Sequence, residues 1–120
     1  DEANSWHDKL LDFVGQALVI SANDPSLYRS FIHGIKYPEQ AILRDNEKRV
    51  YFRVLRELVD GCREEGSVHH SRDREELVAD LVALHRGMLL EWRIYEGAFD
   101  LPRRGRRMAA ALLAGWKQAE

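Results

Sequence analysis

At 120 residues, 45% hydrophobic and 32% charged, the chain is long enough for one domain with a real core and too apolar to stay unfolded. A formal charge of −2 gives it no general electrostatic reason to sit on nucleic acid. Its single Cys excludes an internal disulfide and fits a reducing cytoplasm.

Helix signals run through the chain. Ser5 and Asp8, three residues apart, resemble a capping box, and a helix over about 6–22 follows. Its apolar side carries Trp6, Leu10, Leu11, Phe13, Val14, Ala17, Leu18 and Ile20. The stretch FVGQALVI inside it is too short for a membrane span and lacks the basic flank of a signal peptide. NDP then places Asp24 at an N-cap and Pro25 in the first turn of a short helix, with Leu27, Tyr28, Phe31 and Ile32 on it and Gly34 at its end. Pro38 opens the longest helix, expected to run to Glu65. Leu43, Val50, Tyr51, Phe52, Val54, Leu55, Leu58, Val59 and Cys62 form its apolar side, and Gly66 caps it. Asp73 with Glu76 starts a fourth helix expected to reach about Glu96, and Asp100 caps a fifth. No alternation suggests a strand, and no repeat appears. The expected fold is all-α, a bundle of about five helices forming a single domain over 1–120.

The fourth helix is apolar on two sides. At about 100° per residue, Leu77, Leu81, Leu84, Met88, Trp92 and Tyr95 form a bulky face, while Ala79, Ala83, Gly87, Leu90 and Ile94 gather opposite. The bulky face suits the core. The second face needs a partner, and its small residues let another backbone approach. The last helix offers Gly105, Ala109, Leu112, Leu113 and Trp116. The two helices read as half of a four-helix bundle completed by a second copy about a twofold axis, so a homodimer is expected. The plainer alternative is a central helix buried within a monomer.

Within this region, EEGSV is followed by DREELVADLVALHRGMLLEWRIYEGAFDL and by a last helix ending LLAGW. Gly66 with Val68, the acidic start Asp73–Glu76, Gly87, Trp92 and the run Phe99–Leu101 together resemble the C-terminal domain of TetR-family transcriptional repressors, over roughly 60–118. The resemblance implies an all-helical domain that dimerises through its last two helices. It also implies a small, often apolar effector held among the preceding helices. Effector binding would shift the first helix and so alter the spacing of two N-terminal helix-turn-helix domains on DNA. The chain looks like the regulatory domain of such a repressor without its DNA reader, and a start on Asp rather than Met suggests a processed chain or a piece of a longer one. DNA contact is therefore expected only through a separate N-terminal domain.

A pocket in such a bundle is mostly apolar with a few inward polar groups. The candidates on core-facing positions are His7, Phe13, Ala17 and Ser21 on the first helix and Tyr28 and Phe31 on the short one. Tyr51, Leu55 and Cys62 follow on the long helix, and His85, Met88 and Trp92 on the fourth. They suit a hydrophobic or aromatic effector, although each aromatic side chain also fits plain core packing, and a buried histidine is commonly just a satisfied core residue.

Other signals point to less. His69 and His70 are adjacent and diverge, no His, Cys or Asp recurs at ligand spacing, and neither a metal nor a cofactor is expected. The run RRGRR at 103–107 opposes the macrodipole of its own helix. It reads as a solvated face, or as a surface that pairs with acidic residues of a partner subunit, rather than a nucleic-acid contact. The glycines sit mostly at helix ends, no nucleophile stands with a base, and the chain does not read as an enzyme. Two functions stay open: an effector-sensing and dimerisation domain, or a helical self-association module with no small-molecule ligand.

Overall fold

The computed structural model describes residues 5–25 and 45–119. These hold four helices: α1 over Trp6–Ala22, α2 over Asp45–Glu65, α3 over Arg74–Ile94 and α4 over Leu101–Trp116. The all-α class follows. The short helix expected around Tyr28 and Phe31, and the start of the long helix at Pro38, lie outside the described residues, so the five helices expected are four here. No helix among the described residues is long and apolar enough to cross a membrane.

The helix ends follow local chemistry. Ser5 Oγ accepts the Asp8 amide at 3.1 Å, an Asp73 carboxylate oxygen accepts that of Glu76 at 3.0 Å, and Asp100 accepts that of Arg103 at 3.3 Å. Each cap satisfies an amide that has no partner within its helix, a contribution of about 1 kcal/mol. At the end of α2 the chain turns through Gly66 at φ +90°, and the amides of Gly66 and Val68 both donate to the Cys62 carbonyl. The end of α3 comes slightly before the Glu96 expected. Glu96 and Gly97 adopt left-handed φ values of 54° and 75°, and the Gly97 amide turns back to the Trp92 carbonyl at 2.8 Å.

Burial follows the helical faces. Leu10, Leu18, Leu55, Leu81, Leu89 and Leu113 are among the fully buried side chains at the centre. Val50, on the apolar face by pattern, is exposed, because it stands about 140° around α2 from Leu55. The most extensive helix pairing is α1 on α4. It depends on Gly105: a Cβ there would lie 2.2 Å from Leu18 Cδ1, and Leu18 has no room to move aside because it is wholly buried. A second tie holds the start of α1. Glu65, at the end of α2, accepts the amides of Trp6 and His7 at 2.8 and 3.1 Å and the Ser67 hydroxyl at 2.7 Å. Slight desolvation works against its charge. The hydrogen bonds from Ser67, Trp6 and His7 outweigh that effect and hold the carboxyl below its ordinary range.

Gly105→Val tests the close approach. Valine is the better helix former, so a freely adjusting interface would gain stability. The expected result is instead a loss of about 1–3 kcal/mol from overpacking, read by urea unfolding. A variant as stable as the parent would show that α1 and α4 separate without cost.

Candidate functional site

Most core side chains are hydrocarbon, so a buried polar group must find a partner inside the bundle. Among the described residues Ser21 and His85 are the two buried polar ones, exposed by 1% and 2%. Ser21 is in the last turn of α1 and His85 is midway along α3. Ser21 Oγ and His85 Nε2 share a hydrogen bond at 3.0 Å, which links α1 directly to α3. The Tyr51 ring of α2 lies 5.2 Å from the imidazole at a tilt of 51°, and Phe13 of α1 stacks on Tyr51 at 5.6 Å. Three helices therefore contribute to one polar group with an aromatic flank.

Electrostatics keep this group uncharged. Burial is the main reason the His85 pKa falls from an ordinary 6.5 to about 4, and the neighbouring Arg86 charge adds to it. Burial likewise pushes the Tyr51 hydroxyl pKa upward, with Arg86 opposing. At neutral pH the interior presents a neutral imidazole, a phenol and a serine hydroxyl. Such a set exchanges hydrogen bonds with a neutral polar group and offers no countercharge for a carboxylate or an amine.

The sequence-predicted residues divide in space. Phe13, Ser21, Tyr51 and His85 come together. Leu55 and Met88 follow one turn on from Tyr51 and His85 and are buried in the same core, and Ala17 stands half-buried between Phe13 and Ser21 on α1. Trp92 lies a turn beyond Met88, partly buried against Gly97. His7 and Cys62 sit elsewhere. His7 is near the start of α1, its Nδ1 3.5 Å from Asp8 Oδ1, on an open depression of about 400 Å³ shared with Glu65, Ser67 and Lys117. Cys62 is about 16 Å along α2 from Tyr51. Its burial raises the thiol pKa to about 11, against a hydrogen bond from Ser67 and with a small contribution from Glu65. It behaves as a core side chain, not a reactive thiol. Tyr28 and Phe31 lie outside the described residues. Sequence reasoning missed Arg86, whose charge acts on both Tyr51 and His85; its place beside His85 was the available signal.

The expected dimer residues divide as well. On α3, Ala79, Ala83, Gly87, Leu90 and Ile94 are all exposed, and a Cβ at Gly87 would meet nothing within 4 Å. On α4, Gly105, Ala109, Leu113 and Trp116 are buried inside the protomer and Leu112 is half-buried. These form the inner face of α4, because α1 and α3 already cover it. The outer face of α4 presents Arg103, Arg107, Met108, Ala111, Ala114 and Gly115 instead, and any docking surface on this helix is built from those.

Among the described residues no three His, Cys, Asp or Glu side chains gather as a metal-binding group. The His69 and His70 rings stand 4.4 Å apart, and His69 Nδ1 is engaged by Ser71. Compared with known proteins, the chain matches no family model, no curated protein and no solved structure.

The depressed His85 pKa has a thermodynamic consequence. The unfolded chain binds a proton near pH 6.5, while the folded chain resists it down to about 4. Stability is therefore fully present above 6.5 and falls with pH through that window, by on the order of 1.4 kcal/mol per unit at most. Urea unfolding at several pH values between 7.5 and 4.5 should show this slope, and His85→Gln should flatten it. An equal slope in both proteins would assign the acid sensitivity to other groups.

Proposed function

We propose that the chain is the effector-sensing and dimerisation domain of a TetR-like transcriptional repressor, acting in the cytoplasm and reaching DNA only through a separate N-terminal domain. The observation that carries this reading is the buried Ser21–His85 hydrogen bond between α1 and α3, with the partly buried Tyr51 ring of α2 packed against the imidazole. Apolar residues would fill the same space at no desolvation cost, so a hydroxyl and an imidazole held there suit a site that exchanges hydrogen bonds with a bound molecule. The effector is a small, uncharged, hydrophobic or aromatic molecule with one or two hydrogen-bonding groups. No catalytic step is assigned.

The mechanism is a shift between two arrangements of α1. Ser21 ties the end of α1 to α3, and Glu65 ties its start to α2. An effector that takes over the hydrogen bond of Ser21 or His85 loosens the first tie and leaves the second, so α1 pivots about its first turn. Coupling of this kind is worth about 1–3 kcal/mol, enough to change DNA affinity 5- to 150-fold. In the dimer, α3 and α4 of two copies form a four-helix bundle. The exposed strip of α3 supports this, with Leu90 and Ile94 exposed by 46% and 59%. That strip also favours the second reading, a self-association module without a ligand, because it calls for a protein partner alone.

A thermal-shift screen of neutral aromatic compounds separates the two. At a hundred times its Kd a ligand adds about 2.7 kcal/mol, a rise of several degrees in Tm. Compounds that stabilise the parent protein and lose their effect in Ser21→Ala and His85→Leu support sensing at this site. Equal shifts in parent and variants would place binding elsewhere, and a screen without stabilisers would favour the self-association module.

A further inference from the structure

Two arginines of the run on α4 pack within the bundle, Arg106 against Gly15 of α1 and Arg104 against Phe99, and two do not. Arg103, Arg104 and Arg107 line a depression of about 310 Å³ together with Phe99 and Asp100. Arg104 lies over the Phe99 ring at 4.7 Å, with its Nε buried and without a hydrogen-bond partner. Arg103 and Arg107 are exposed, one turn apart, and neither has an ion-pair partner among the described residues. Cations in the first turns of a helix, and like charges four residues apart, are each unfavourable by a few tenths of a kcal/mol. The nearby carboxylate, Asp100, is engaged as the N-cap of α4 and forms no ion pair with Arg103 or Arg107.

The opposite charge lies on the same face at the far end. The His69 amide donates to the Trp116 carbonyl at 2.8 Å, and Arg72 donates to the carbonyls of Gly115 and Gln118. The start of α3 is therefore beside the end of α4, and the two helices run antiparallel. Glu76 and Asp80, exposed in the first turns of α3, are thus remote from the arginines, and they too have no ion-pair partner among the described residues. Residue size follows the same direction: Ala79 and Ala83 stand at the acidic end of the exposed strip, Leu90 and Ile94 at the other. Charge and shape thus share one polarity along about 22 Å of α3.

One occupant complements both gradients, a second copy turned end for end. We infer that the outer faces of α3 and α4 pair antiparallel about a twofold axis, with Arg103 and Arg107 of each copy meeting Glu76 and Asp80 of the other. Counting from a centre between Arg86 and Gly87, Ala79 lies opposite Ile94 and Ala83 opposite Leu90, so each large side chain faces a small one. A parallel pairing would set arginine against arginine and Ile94 against Ile94. The charges thereby select the register and polarity of the self-association proposed above, on which this inference rests, while the apolar strip supplies most of the burial.

A charge-exchange experiment tests it. Arg103→Glu with Arg107→Glu makes an acidic variant, and Glu76→Lys with Asp80→Lys a basic one. All four sites are exposed, and retained helicity by circular dichroism confirms folding. By analytical ultracentrifugation, each variant alone should dimerise at least tenfold more weakly than the parent. An equimolar mixture should recover the parent affinity as a heterodimer, and a chain with all four changes should dimerise with itself. Variants that self-associate as tightly as the parent, or a mixture with no gain, would overturn the charge pairing and leave the dimer standing. A parent protein that stays monomeric at high concentration would remove the dimer and the inference together.

Discussion

The structure depends on the placement of α1. That helix lies against α4 because Gly105 presents no side chain to the buried Leu18, and its first turn is fixed by the Glu65 carboxylate reaching over from the end of α2. With α1 so held, Phe13 and Ser21 face Tyr51 and His85, and the polar group closes across three helices. Removing a backbone contact at Gly105 would therefore be felt at Ser21 although the two residues do not touch. Packed interiors transmit displacement because they have little free volume to absorb it.

The protein keeps two kinds of polarity apart. Inside, burial suppresses ionisation and leaves neutral hydrogen-bonding groups. Outside, full charges stand on the faces of α3 and α4 and on the α2–α3 seam, where Arg56, Glu75, Arg74 and Asp60 form a chain of ion pairs. Arg86 is the exception that joins the two. It is exposed, yet its field reaches the imidazole and the phenol beneath it. A change of charge at this surface position would adjust the interior without altering a single core contact.

The helices were legible in the sequence because capping and periodicity are local. Ser5, Asp73 and Asp100 cap where the pattern places them, and the two-sided character of α3 correctly marks Ala79, Ala83, Gly87, Leu90 and Ile94 as uncovered. The inner residues of α4 were misassigned for a physical reason. A stripe of small and apolar residues has the same period whether it meets another helix of its own chain or one of a second copy, and only the three-dimensional packing shows that α1 occupies Gly105, Ala109 and Leu113. The candidate site was half legible. Phe13, Ser21, Tyr51 and His85 share core-facing positions and do converge, while His7 and Cys62 share the same kind of position at the wrong axial height. Helical periodicity reports angle around an axis and says nothing of the level at which neighbouring helices meet. Glu65 carried no signal at all, since its partners, the amides of Trp6 and His7, lie almost sixty residues away.

The burial of Cys62 turns the lone sulfhydryl into a clock. Its side chain is wholly covered and burial raises its pKa to about 11, so a thiol-modifying reagent gains access only when the core around the end of α2 opens. The rate of alkylation then counts opening events at the end of the bundle farther from Tyr51. Motion there, beside the Glu65 anchor, becomes separable from motion around Ser21 and His85 by a reaction at a residue the chain already carries.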